Sequence, residues 1–94
     1  MGTNITRTVI AHDDTLTLVR VSFAAGAVGS RHHHPQTQAS YVVSGTWVVT
    51  IGDDEMTLKP GDHFFVPSDV EHGATSPDGG TLITTFAPGR AELL

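Results

Sequence analysis

Residues 31–38 read RHHHPQTQ and hold three of the chain's six histidines. In extended backbone alternate residues share a face, so His32 and His34 point one way and His33 the other. Two imidazoles on one face, two residues apart, are how a β-scaffold presents a pair of nitrogen ligands to a metal ion, histidine being the commonest ligand side chain. The bland alternative is a solvated polar strand end. A terminal tag is excluded because the triplet is short and lies a third of the way into the sequence. Pro35 holds His34 in the extended region and removes a ladder donor, so the strand bends or ends there. Beyond it, Gln36 and Gln38 can each supply an amide oxygen. Far downstream His72, in VPSDVEHG, would stand opposite the first pair if the chain closes into a barrel. The chain has no cysteine, which excludes disulfides, thiolate ligands and a cysteine nucleophile.

The elements that must position these side chains are short strands. TLTLVRVSF (15–23) alternates at Leu16 and Leu18 and then at Val21 and Phe23, and the change of register near Val19 predicts a bulge. SYVVSGTWVVTI (40–51) is rich in β-branched and aromatic residues and reads as one strand. GDDE (52–55) reads as a turn and MTLK (56–59) as its hairpin partner. Pro60–Asp62 and SPDGG (76–80) are further turns, leading into HFFVP (63–67) and TLITTF (81–86). Only GRAELL (89–94) could start a helix, and a short one. Short strands at close spacing predict an all-β antiparallel sandwich or barrel, residues 1–94 forming one domain.

Ninety-four residues suffice for one core, and 38% hydrophobic against 16% charged residues is a globular composition. Five Lys and Arg against ten Asp and Glu give a net charge of −5, which opposes a phosphate-backbone partner. No nucleic acid is expected. No apolar run approaches the roughly 20 residues of a membrane helix, and MGTNITRTVIAHDD lacks the apolar core of a signal peptide. The opening Met-Gly, with Thr6, fits the start of a myristoylation signal, but nothing basic supplies a second anchor, so it reads as an ordinary start. No membrane partner is expected, and a cytoplasmic setting is the default.

Two stretches resemble the paired motifs of the cupin superfamily. Gly26, five residues, His32, His34, Gln38 and Gly45 reproduce the spacing of the first motif. Gly61, five residues, Pro67, Asp69, His72 and Ser76 reproduce the second. Three residues depart from the pattern: Gln38 replaces an acid, Asp69 a glycine and Ser76 an asparagine. The resemblance implies a jelly-roll barrel, selects Gln38 over Gln36, and implies one divalent transition metal ion held by His32, His34, Gln38 and His72. Nickel, zinc, iron(II), manganese and cobalt all suit that set. A neutral amide in place of a carboxylate leaves the ion's charge uncompensated. That lowers affinity, raises Lewis acidity and favours polarising a substrate oxygen over redox oxygen chemistry.

The segment LITTFAPGRAELL (82–94) resembles a narrower group, the small single-domain KdgF-like cupins of pectin and alginate degradation, which open 4,5-unsaturated uronates to the keto form. Phe86, Pro88 and Arg90 match its Phe-x-Pro-x-Arg segment, and the resemblance implies Arg90 as carboxylate anchor. A bidentate, permanently charged guanidinium suits that role. Where that group carries a proton-transferring aspartate this chain has Thr84, whose hydroxyl can donate or orient but is no useful base at neutral pH. Imidazole in general suits acid–base work near neutral pH, so His63, its face being undetermined, is a candidate, and Tyr41 is a weaker one. His33 and His12 read as solvated, and Trp47, Phe23, Phe64 and Phe65 as core.

The expected function is therefore metal-dependent isomerisation or ring opening of a small, carboxylated, sugar-like molecule. The alternatives are a dioxygenase or polyketide-cyclase-like cupin with the same ligands, and a non-catalytic metal or small-molecule binding module. Small cupins commonly form homodimers, and NITRTVI (4–10) could add to a partner's sheet.

Overall fold

The structure, a computed structural model, describes residues 4–94. Gly2 of the Met-Gly opening therefore lies outside the described residues. Nine strands follow one another: β1 (Ile5–His12), β2 (Thr17–Phe23), β3 (Val28–His32), β4 (Thr37–Ser44), β5 (Trp47–Ile51), β6 (Asp54–Leu58), β7 (His63–Val66), β8 (His72–Thr75) and β9 (Gly80–Ala87). One 3-10 turn, Ala91–Leu93, follows them, and among the described residues no helix is long and apolar enough to cross a membrane. The strands form two antiparallel sheets, ordered β1-β2-β9-β4-β7 and β3-β8-β5-β6. The expected all-β jelly roll is the observed fold.

Period-2 alternation drives the packing. Thr17, Val19, Val21 and Phe23 of β2 are all buried, as are Val42 of β4, Val49 of β5 and Phe64 and Val66 of β7. Each such apolar side chain contributes roughly 1.5–3 kcal/mol by leaving water. Trp47 is fully buried, its ring 4.7 Å from that of Phe23, and its Nε1–H donates to the Ser44 carbonyl at 2.9 Å. The indole thus enters the core with its one donor satisfied.

Five expectations are corrected. Burial in β2 alternates without interruption, and the bulge lies on its neighbour: Val9 pairs with Val19 and Ala11 with Leu18, leaving Ile10 as the extra residue of β1. Leu16, counted as apolar strand, is 40% exposed in the β1–β2 connection. Residues 40–51 are two strands in different sheets. Gly45 breaks them apart at φ 85°, where a Cβ would run into the Gly79 carbonyl oxygen. The following turn is only Gly52 and Asp53, so β6 starts two residues early. Phe65, expected in the core, is 57% exposed on the outer face of β7. The N-terminal segment pairs with β2 of its own chain and forms one edge of its sheet.

Of the connections that cross between the sheets, two position His34 and His72. The β3–β4 connection holds His34, and the β7–β8 connection ends at His72. They are tied together, since the Asp69 N–H donates to the His34 carbonyl at 2.8 Å and the Ser68 hydroxyl to the Pro35 carbonyl at 2.6 Å.

Candidate metal centre

His32 pairs directly with His72 across the β3–β8 ladder, and His34 closes the triangle from the connection that leaves β3. The ring centroids are 4.4 Å apart for His32–His72, 4.9 Å for His34–His72 and 5.5 Å for His32–His34. Each Nδ1 faces a backbone carbonyl two residues away: His32 on Ser30 at 2.9 Å, His34 on Gln36 at 3.0 Å, His72 on Val70 at 2.9 Å. A carbonyl can only accept, so in the neutral rings Nδ1 carries the proton and Nε2 presents a lone pair. Three lone pairs are thereby prepared for one point, and the candidate ligand atoms all lie within 4.8 Å of one another. The Nε2 of His72 is buried without any hydrogen-bond partner. Burial, the largest cause, holds the pKa of His72 below its ordinary 6.5, opposed by the Val70 carbonyl and reinforced by His32, His34 and Arg90. Burial likewise lowers that of His34, with the positive charge of Arg90 acting the same way and the Gln38 and Gln36 oxygens the other. Neutral imidazoles are the form a metal needs.

Gln38 supplies the next group. Its Oε1 lies 3.1 Å from His34 Nε2, while its Nε2 donates to Ser40 Oγ at 3.1 Å, and Ser40 Oγ meets Thr84 Oγ1 at 2.9 Å. With Nδ1 of His34 already protonated, Nε2 and the amide oxygen are two acceptors facing each other. A cation between them resolves that repulsion. The orphaned His72 nitrogen and this acceptor pair make the set fit a divalent metal ion held by His32, His34 and His72, with Gln38 Oε1 in reach as a fourth donor.

A small recess of about 80 Å³ opens beside these groups, walled by β9 and β2 and floored by Phe64. Arg90 closes one side, its guanidinium carbon 4.9 Å from the centre of the Phe86 ring and its Nε donating to Glu92 at 2.9 Å. Its backbone N–H donates to the buried Thr17 Oγ1 at 2.7 Å, and the same hydroxyl is hydrogen-bonded to Nδ1 of His12, also 2.7 Å away.

Comparison with known proteins agrees with this fold. Residues 19–89 match the cupin domain family. This chain belongs to the cupins. It is 38% identical to the pectin degradation protein KdgF of Dickeya dadantii (strain 3937) over 96 aligned positions, covering all of this chain and 87% of that protein. It is similar to an RmlC-like cupin of Shewanella frigidimarina NCIMB 400, with a TM-score of 0.96 at 39% identity over 100% of this chain and 85% of the other. It is also similar to KdgF from Halomonas sp., with a TM-score of 0.90 at 36% identity over 97% and 84%.

The departures from the cupin motifs now have physical readings. Asp69, at the motif's glycine, has φ 61°. Aspartate is among the few side chains that tolerate this left-handed region, so the turn keeps its shape. Ser76, at the asparagine, is fully buried and donates to the Thr46 carbonyl at 2.8 Å, a loop tie away from the histidines.

Other sequence candidates fall elsewhere in this cupin. His63 is exposed at the start of β7, on the face opposite Phe64 and Val66, so it does not line the recess and is withdrawn as an acid–base group. Tyr41, its ladder partner, is 51% exposed on the same outer face. His33 points to solvent, 3.7 Å from Asp69. His12 is fixed by Thr17, not solvated. Thr84 lines the recess, 2% exposed, with its hydroxyl engaged by Ser40. Sequence reading missed Ser40, Thr17 and Arg7, which also lines the recess. The signal for Ser40 was its place two residues after Gln38, on the same strand face.

Proposed function

We propose that this chain is a cytoplasmic, divalent-metal-dependent cupin enzyme that isomerises or ring-opens a small carboxylated, sugar-like molecule. The observation that carries the reading is the convergence of three Nε2 lone pairs with the Gln38 oxygen beside a recess that Arg90 closes. Similarity to a pectin degradation protein makes unsaturated uronates the first substrates to try.

A divalent ion bound there would act as a Lewis acid on a substrate oxygen. His32, His34 and His72 would hold it, each ring locked by its Nδ1–H bond, and Gln38 would complete the set. Arg90, steadied by Phe86 and Glu92, would take the substrate carboxylate through the two guanidinium nitrogens that Glu92 leaves free. Thr84 would orient a substrate hydroxyl. No carboxylate lines the recess, so no side chain there supplies a strong general base apart from the imidazoles. Ring opening should accordingly be slow, and Thr84→Asp should speed it.

That missing base also favours a second reading, a metal-loaded binding module without turnover. Both are tested together. Metal content is measured first, in wild type and in His32→Ala/His72→Ala. Near-stoichiometric metal lost in the double variant supports the centre, and little metal in either after reloading overturns it. Turnover of unsaturated uronates, followed by NMR in wild type and Thr84→Asp, then separates enzyme from module, and oxygen consumption would instead mark a dioxygenase.

We also propose that the chain works as a homodimer. The exposed Tyr41, Val43 and Phe65, neighbours on the outer face of β4 and β7, support a buried apolar contact there.

A further inference from the structure

Two of the chain's five cationic side chains open onto one cavity. The inner recess of about 80 Å³ and an outer vestibule of about 430 Å³ share Arg7, Gly29, His32 and Arg90 in their walls. Neither is lined by an aspartate or glutamate, in a chain that carries ten. The arginines in these walls are thus unaccompanied by any lining acid although the net charge is −5, Arg90 being paired with Glu92 behind it.

The two arginines are not equivalent. Arg90 is fixed, with a side chain only 17% exposed that is stacked on Phe86 and paired with Glu92. Arg7 sits on β1 directly across from Val21, whose side chain lines the inner recess. Directly opposed residues in an antiparallel pair share a face, so Arg7 stands on the inner face of the sheet at its edge strand. Among the described residues it makes no ion pair and no side-chain hydrogen bond. The recess is too small for a sugar-sized molecule, a liquid water alone occupying about 30 Å³. Whatever binds must extend outward past Arg7, along a vestibule whose remaining wall includes Ile5, Val28 and Leu93.

We propose that the vestibule is a second anion subsite, where Arg7 receives a second carboxylate of a ligand whose first carboxylate Arg90 holds. The preferred ligands are then small acids carrying a carboxylate at each end, joined by a short carbon chain that lies on the apolar wall. This rests on the reading of Arg90 as a carboxylate anchor.

The test is calorimetric binding to the full-length, zinc-loaded chain at constant ionic strength. The probes are glutarate, adipate and pimelate, each against the monoacid of equal carbon number. The expected result is at least one diacid bound about tenfold or more tighter than its monoacid. Arg7→Gln should abolish that advantage, weakening diacids about tenfold or more beyond any change for the monoacids, and Arg90→Gln should weaken both series. Arg7 is exposed and, among the described residues, unpaired, so the same melting temperature in wild type and Arg7→Gln checks that the fold is untouched. No diacid preference, or a preference that survives Arg7→Gln, overturns the second subsite and leaves Arg90 standing. Acids that fail to bind at all, or bind equally to Arg90→Gln, overturn the anchor as well.

Discussion

Ser40 touches no candidate metal ligand except Gln38, yet it decides which way the Gln38 amide faces. By taking the amide N–H it leaves Oε1 toward the histidines. Ser40→Ala removes that bias, and because partners behind a ligand are typically worth 10–100-fold in metal affinity, about a tenfold weakening is expected, measured by competition with a chromophoric chelator. Ser40→Thr, which keeps the hydroxyl, should restore the affinity. A second expectation concerns protons. His34 and His72 have pKa values lowered by burial from 6.5, so below about pH 6.5 the unfolded chain takes up protons before the folded one. The metal-free protein should hold its melting temperature above about pH 7 and lose stability as pH falls through the depressed values. Metal binding should weaken over the same range, because protons compete for Nε2. A melting temperature that is flat down to about pH 5 would contradict this.

The elements bring the ligands together at two crossings between sheets. The turn at Asp69 matters most, because its N–H holds the carbonyl of His34 and its chain leads to His72. A β-branched residue in the left-handed region costs about 1–2 kcal/mol, whereas glycine and asparagine accept it. Asp69→Val should therefore lower unfolding free energy by about that amount and reduce metal loading, while Asp69→Gly and Asp69→Asn stay near wild type in denaturant titration. Thr17 plays the same part for the last segment, accepting from the Arg90 N–H while its hydroxyl also bonds His12. Thr17→Val leaves that buried backbone donor unpaired, worth about 1–3 kcal/mol, and should raise KM for an acidic substrate more than it lowers kcat.

For the molecule as a whole, sheet and charge are arranged unevenly. The chain is acidic, yet its cavity is lined by two arginines and no acid. Its outer sheet face carries Tyr41, Val43 and Phe65 at 47–57% exposure. Sedimentation equilibrium should give a dimer, and Phe65→Glu should shift it to monomer without changing the melting of the isolated fold. A wild-type monomer at all concentrations would end that proposal.

Much of this was legible in the sequence because it depends on local pattern. Alternation in β7 and β9, turn residues at 60–62 and 76–80, and the spacing of His32, His34, Gln38 and His72 specify a small β-barrel with a candidate metal centre. A single chain of letters does not say which of two alternating faces turns inward, and that is why His63, Phe65 and Tyr41 stayed open or were misplaced. The face of β7 is fixed only by its pairing with β4, where His63 meets Tyr41 on the outside. The break at Gly45 depends on a carbonyl oxygen 34 residues away, at Gly79, and the bulge at Ile10 on the register against β2. Ser40, Thr17 and Arg7 are ordinary surface or strand residue types until β9, the closing segment and β2 are laid beside them. Ser40 also bonds Gln38 two residues away, but its tie to Thr84 and the roles of Thr17 and Arg7 come from neighbours distant in sequence, and only packing decides who those neighbours are.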